Sequence, residues 1–262
     1  MHQSAFTSVF ILENEYKLIR NEMKSFRYLT LVILGIAITS CIDGQPRKTV
    51  YGDKNVVKKE RNTGAFNGVS TSTAIDVVLS QGDGIKVELE ADENLHEYIK
   101  TEVEGGVLRI YTSNVNIREA AMKRVHVTMK EIDYIGTSSA GDVFGQTPVK
   151  ADRLKLSASS AGDIKLEVYA RELDLNASSS GNITLSGEAD ILDADLSSAG
   201  DLNAFNLKIK EADVSVSSAG DADIWVTEKL RANASSAGDV NYKGDPKYVD
   251  AHSSSAGGVH KK

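Results

Sequence analysis

The chain has 262 residues, 41% of them hydrophobic, enough for one or two domains with a core of their own. Aromatics make up 6%, with Trp225 the single tryptophan, while 21 Gly and only 3 Pro suit many turns joined by short strands. A net charge of −7 without a clustered Lys/Arg stripe argues against a nucleic-acid partner, and one cysteine excludes an internal disulfide.

From Met23, Lys24 and Arg27 precede an apolar run from Leu29 to Ile38 and then Thr39-Ser40-Cys41. Residues 23–40 read as a signal peptide, too short to span a bilayer as a stable helix. Ile38-Thr39-Ser40-Cys41 resembles the lipobox of bacterial lipoproteins, which implies cleavage before Cys41 and lipidation of it. The resemblance makes the membrane a partner through the lipid and places the protein in the cell envelope, at the outer membrane. The alternative is a plain secretory signal with an incidental cysteine. Residues 1–22 carry three acids and fit no part of a signal, so Met23 rather than Met1 is read as the start. Removing residues 1–40 leaves 26 cations and 34 anions, a net charge of −8. Residues 41–63, largely polar, read as the lipidated cysteine and a tether.

Residues 64–135 read as irregular coils that start a solenoid and cover its N-terminal end. Val69 to Leu79 lines up with Leu156 to Leu166, with Ile75 in place of a glycine. A strand follows at 85–90, a short helix candidate at 93–98, a hairpin over 99–111 turning at Gly105-Gly106, and a strand at 125–129.

Residues 136–262 repeat Ser-Ser-Ala-Gly-Asp or a near copy seven times. The glycines are Gly141, Gly162, Gly181, Gly200, Gly220, Gly238 and Gly257, spaced 21, 19, 19, 20, 18 and 19 residues apart. A period near twenty predicts an all-β parallel β-helix or β-solenoid, in which each coil buries its apolar face against its neighbours. Two positions after the glycine stand Val143, Ile164, Ile183, Leu202, Ala222, Val240 and Val259, and six before it Ile135, Leu156, Leu175, Ala194, Val214, Ala232 and Ala251. Even offsets are apolar or small, so period-two alternation turns them inward. The same parity turns inward the serine two before each glycine, Ser139 to Ser255, where stacked hydroxyls would satisfy one another. The glycine supplies either a backbone angle closed to other residues or clearance at a tight corner.

After the glycine come Asp142, Asp163, Asn182, Asp201, Asp221 and Asp239. Stacked carboxylates ~4.8 Å apart repel by ~0.9 kcal/mol per pair even in water, so this column faces outward. It reads as turn chemistry, with a calcium ladder as the alternative; no other metal or cofactor is indicated. The chain ends at Val259-His-Lys-Lys262, an open last coil whose cations discourage further pairing and through which the alternative of self-association would act.

Phe66-Asn-Gly-Val69, Ile75-Asp-Val77, Glu93-Asn-Leu95 to Glu102-Val103, Gly106 to Ile110 and the glycine-aspartate repeats resemble the auto-transporter adhesin "head GIN" domain family, common among envelope proteins of Bacteroidetes. The resemblance covers residues 60–258 and implies a right-handed parallel β-helix and an adhesin, with no catalytic or ligand residues to carry over.

The expected function is a lipid-anchored, non-catalytic binding or adhesion module for a glycan or protein ligand. Phe205 and Trp225, each five residues after its glycine, are the candidate contacts, with rings side by side on neighbouring coils or else filling core. A structural spacer of the envelope is the alternative. A polysaccharide-active enzyme is a weaker one, because a catalytic carboxylate pair needs unlike environments and these aspartates look alike. The five histidines, at 2, 96, 126, 252 and 260, are scattered, and no base repeats beside the serines.

Overall fold

β-forming runs separated by small-residue turns make 67% of the described residues strand. The structure is a computed structural model and describes residues 47–262; the segment before Met23, the signal peptide and Cys41 lie outside the described residues. The front end holds β1 (Lys48–Tyr51), β2 (Val56–Glu60), β3 (Gly68–Thr71), β4 (Asp76–Gln81), β5 (Lys86–Asp92), β6 (Ile99–Glu104), β7 (Val107–Thr112), β8 (Val115–Arg118) and β9 (Lys123–Met129). The array holds β10 (Tyr134–Thr137), β11 (Asp142–Gly145), β12 (Val149–Ser159), β13 (Asp163–Ser178), β14 (Asn182–Ser197), β15 (Asp201–Val216), β16 (Asp221–Ala234), β17 (Asp239–Lys243), β18 (Tyr248–Ser253) and β19 (Gly258–Lys261).

The array is a β-solenoid of about 7 turns, ~19 residues apart. Parallel register joins Ile135, Leu156, Leu175, Ala194, Val214, Ala232 and Ala251 in one column, so the glycine spacings of the sequence are the coil lengths. Each coil has a leading wall that runs into the Ser-Ala turn and a trailing wall that leaves it. In β13, Ile164, Leu166 and Val168 are buried on the trailing side and Leu173, Leu175 and Ala177 on the leading side, the alternation slipping phase at the bend between them. That slip lets one continuous strand present apolar side chains to the interior from both walls.

The corner corrects one expectation. Ser139, Ser160, Ser179, Ser198, Ser218, Ser236 and Ser255 are exposed, not inward. They and the residues that follow them adopt positive φ, such as 52° at Ser198 and 57° at Ala199. The N–H of Gly200 donates to the Ser197 carbonyl at 3.0 Å, closing a four-residue turn of the mirror-image type that hairpins use. Parity carries through the corner, but the turn lifts its two central residues out of the wall. The glycine itself has no positive φ and supplies clearance: a Cβ on Gly181 would lie 2.5 Å from the Ala158 carbonyl carbon.

The ladder does not break at the corner. Ala140 N–H donates to Ser160 O at 3.0 Å, Ala199 N–H to Ser218 O at 3.0 Å and Ala237 N–H to Ser255 O at 3.1 Å, so apex backbone groups bond to the next coil.

At the front, chain order is not stacking order. β3 and β4 form a coil beside β10 and β11, and Val69 aligns with Ile135 and hence with Leu156. The chain then doubles back, placing β7 and β9 parallel to β3 and β4 on the far side. Antiparallel strands end both walls: β6 pairs with β7, and β5 with β9 and then β2. The hairpin turns at Gly105 and Gly106, both at positive φ, and the helix candidate is one 3-10 turn, Glu93–Leu95. The part of the expected tether within the described residues is also folded, because β1 pairs with β8 and β2 with β5.

Asp92 fastens this end. Its fully buried carboxylate accepts N–H bonds from Lys54 at 3.0 Å, Ala121 at 2.9 Å and Met122 at 3.0 Å. Burial works to raise its pKa, but the three donors outweigh it and hold the group below the usual carboxylate range.

Candidate functional site: a polar cleft on the leading wall

Because side chains alternate across a strand, the outer face of the leading wall is built from rows one position out of phase with the core. Strand register gives one row as Glu102, Arg109, Ser70, Gly136 and Ser157, and a second as Tyr111, Ser72, Ser138 and Ser159. Together with Glu104 and Tyr134 these residues line an open cleft of about 910 Å³.

Tyr134 lies across its floor. A Cβ on Gly136 would sit 2.9 Å from the tyrosine Cζ, so a bare residue there makes room for the ring. On the far side the Tyr111 hydroxyl donates to Glu102 at 2.6 Å, and Arg109 pairs with Glu104 at 2.5 Å. The bond to Glu102 raises the Tyr111 pKa above its ordinary value, so the phenol is protonated at neutral pH. The lining contains many hydroxyls, two aromatic rings, two carboxylates and one guanidinium, and none of its residues is His, Lys or Cys. Such a surface can orient a polyhydroxylated or amphipathic ligand by hydrogen bonds and ring contact.

A second, smaller cleft of about 330 Å³ continues the same two rows farther along, with Asp195, Ser215 and Asn233 in one and Ser197, Ser217 and Ser235 in the other.

Phe205 and Trp225 stand away from both clefts and are half-buried. They are not register partners: β15 bulges after Ala204, and Trp225 pairs with Lys208. A third residue unites them, for the Lys243 ammonium lies 5.7 Å from the Phe205 ring centre and 4.6 Å from that of Trp225. The aromatic patch is thus covered by the chain's own cation, an arrangement worth about 0.5–1 kcal/mol at an exposed position.

The aspartate column faces out and bonds along its length. Asp142 accepts the Asp163 N–H at 3.2 Å, Asp201 the Asp221 N–H at 3.1 Å, and Asp163 the Asn182 side-chain amide at 2.8 Å. Burial and then the neighbouring Asp163 and Asp76 charges raise the Asp142 pKa; burial and then Asp201, Asp239 and Asp223 do the same at Asp221. Among the described residues no group of three His, Cys, Asp or Glu is disposed to hold a metal ion.

Tyr134, Gly136, Tyr111, Glu102 and Lys243 do not stand out by type or spacing. One signal was available for the first two: aligned on the repeats, Tyr134 and Gly136 occupy columns that later coils fill with Lys155, Asp174 and Asp193 and with Ser157, Asn176 and Asp195.

Residues 65–246 match the family model described as "Putative auto-transporter adhesin, head GIN domain". The chain belongs to this head GIN family. No curated protein matches it. Among solved structures, a protein described as a putative adhesin from Bacteroides fragilis superposes with TM-score 0.75 at 18% identity, covering 81% of this chain and 100% of that one. One described as a putative lipid binding protein from Parabacteroides distasonis gives 0.68 at 24% identity, covering 82% and 100%. A further putative adhesin, from Parabacteroides merdae, gives 0.61 at 21%, covering 82% and 99%. At these identities the likeness establishes the fold that this head GIN chain shares with them.

Proposed function

We propose that this head GIN protein is a non-catalytic binding module, lipid-anchored at the bacterial outer membrane through Cys41. The observation that carries the reading is the leading-wall cleft: a broad polar surface with two rings, built where the repeat becomes irregular. Its serines have no neighbouring base, and its two carboxylates are engaged by Tyr111 and Arg109, which suits recognition better than nucleophilic or acid–base chemistry. The family description and the adhesin descriptions of the Bacteroides and Parabacteroides proteins support a role in attachment.

Protease treatment of intact cells tests the reading, with wild type compared with Cys41→Ala. Wild type is expected to fractionate with membranes and to be digested from outside, and Cys41→Ala to leave the membrane fraction. Full protection of the wild type in unbroken cells would overturn the adhesin reading, and membrane retention of Cys41→Ala would overturn the anchor.

A further inference from the structure

The cleft's chemistry narrows its ligand, given that the protein is a binding module. We infer that it takes a neutral saccharide segment, one ring resting on Tyr134 and its hydroxyls meeting Glu102, Tyr111, Arg109 and the serine rows. Three other ligand classes fit worse. A peptide adding a strand needs a free edge, but the cleft's middle is a sheet face where β3 is already bonded to β7 and β10, and the edge of β6, unpaired among the described residues, borders it on one side alone. An acyl chain needs an apolar channel, whereas Ser, Thr, Tyr and charged residues dominate this lining. A phosphate or other anion would face Glu102 and Glu104 against a single Arg109 that Glu104 already neutralises.

A sugar matches what remains. Its carbon–hydrogen face covers an aromatic ring while its edge offers paired donors and acceptors. The Glu102–Tyr111 and Arg109–Glu104 pairs hold their polar groups in place before the ligand arrives, which limits the ordering that binding requires. The second cleft on the same rows gives a linear chain room to continue along the solenoid axis.

The test is calorimetric titration of the mature protein, residues 41–262 with Cys41→Ser, with cellohexaose, maltohexaose and chitohexaose and their monosaccharides. At least one hexasaccharide is expected to bind more tightly than its monosaccharide, and the exposed change Glu102→Gln to weaken it about tenfold with the melting curve unchanged. Tyr134→Ala is expected to do the same, and Tyr134→Phe, which keeps the ring, to bind within about twofold of wild type. The inference is overturned if no hexasaccharide binds at millimolar concentration, if Glu102→Gln and Tyr134→Ala both bind normally, or if phosphatidylglycerol vesicles or an extended peptide occupy the cleft instead. Retention on isolated envelopes separates this failure from that of the binding role. If wild type is retained and Glu102→Gln is not while no sugar binds, only the saccharide falls; if both are retained equally, the cleft has no binding role.

Discussion

Two adjacent residues with positive φ stand at every corner of the array, and neither is glycine. A left-handed L-residue costs about 1 kcal/mol or more, so the corners are unfavourable by themselves. Backbone bonds offset this, one closing each turn and one reaching the next coil, each contributing about 0.5–1.5 kcal/mol. Ser and Ala suit these places because neither is β-branched or bulky, the kinds of side chain that positive φ tolerates least. The neighbouring glycine serves clearance alone, which separates two substitutions only one residue apart. Gly200→Ala is expected to destabilise by about 1–3 kcal/mol, since its Cβ would strike Ala177 backbone. Ala199→Gly is expected to be neutral within about 0.5 kcal/mol, relief of the angle balancing the greater freedom of the unfolded chain. Urea denaturation of both variants checks the pair, and an equal loss in each would refute this division of roles.

Among the elements, the end of β5 gathers the front of the molecule. Asp92 joins the β1–β2 connection to the segment before β9 through three N–H bonds, and the Lys54 charge adds to their effect. Its folded pKa lies below the unfolded value of about 4, so its stabilisation is present above that value and fades as pH falls through the folded one. Asp92→Asn is expected to lose about 1–3 kcal/mol at pH 7, because an amide cannot accept the whole set of bonds and turns a donor toward donors. The difference from wild type is expected to shrink below pH 4. Thermal melts of both proteins from pH 7 to pH 3 measure this, and a difference that stays constant across the range would remove Asp92 as the pinning group.

For the molecule as a whole, a solenoid is held by nearest-neighbour contacts, so its stability is uneven along the axis. The front is closed by antiparallel strands, whereas among the described residues β18 and β19 of the last coil pair on one side only, and Val249 is 42% exposed. Amide hydrogen exchange is expected to be fastest among array strands in β18 and β19 and slowest in β13 to β15. Equal protection throughout would mean that the array opens only as a unit.

How far the sequence could be read follows from the same physics. The coil, its length in every turn and the inward columns were legible, because translational stacking makes contacts repeat at fixed sequence distance and the register columns reproduce the glycine spacings. The pairing of Val69 with the later coils was also visible, since Ile75 changes a side chain without changing the strand pattern. What alternation misjudged was Ser139 and its six counterparts, for a period-two rule assumes extended backbone and cannot register two residues turned to positive φ. Nor could it reveal that β7 and β9 stack behind β3 and β4, or that the polar segment before residue 64 adds β1 and β2. Those placements depend on contacts between segments that share no repeat. The cleft belongs to the same category: Glu102, Tyr111 and Tyr134 meet only because the chain doubles back before the array begins. The sequence by itself determined the solenoid, because its coils repeat one local solution. The tertiary structure alone decided where the surface becomes a site, because that site lies where segments distant in the chain come together outside the repeat.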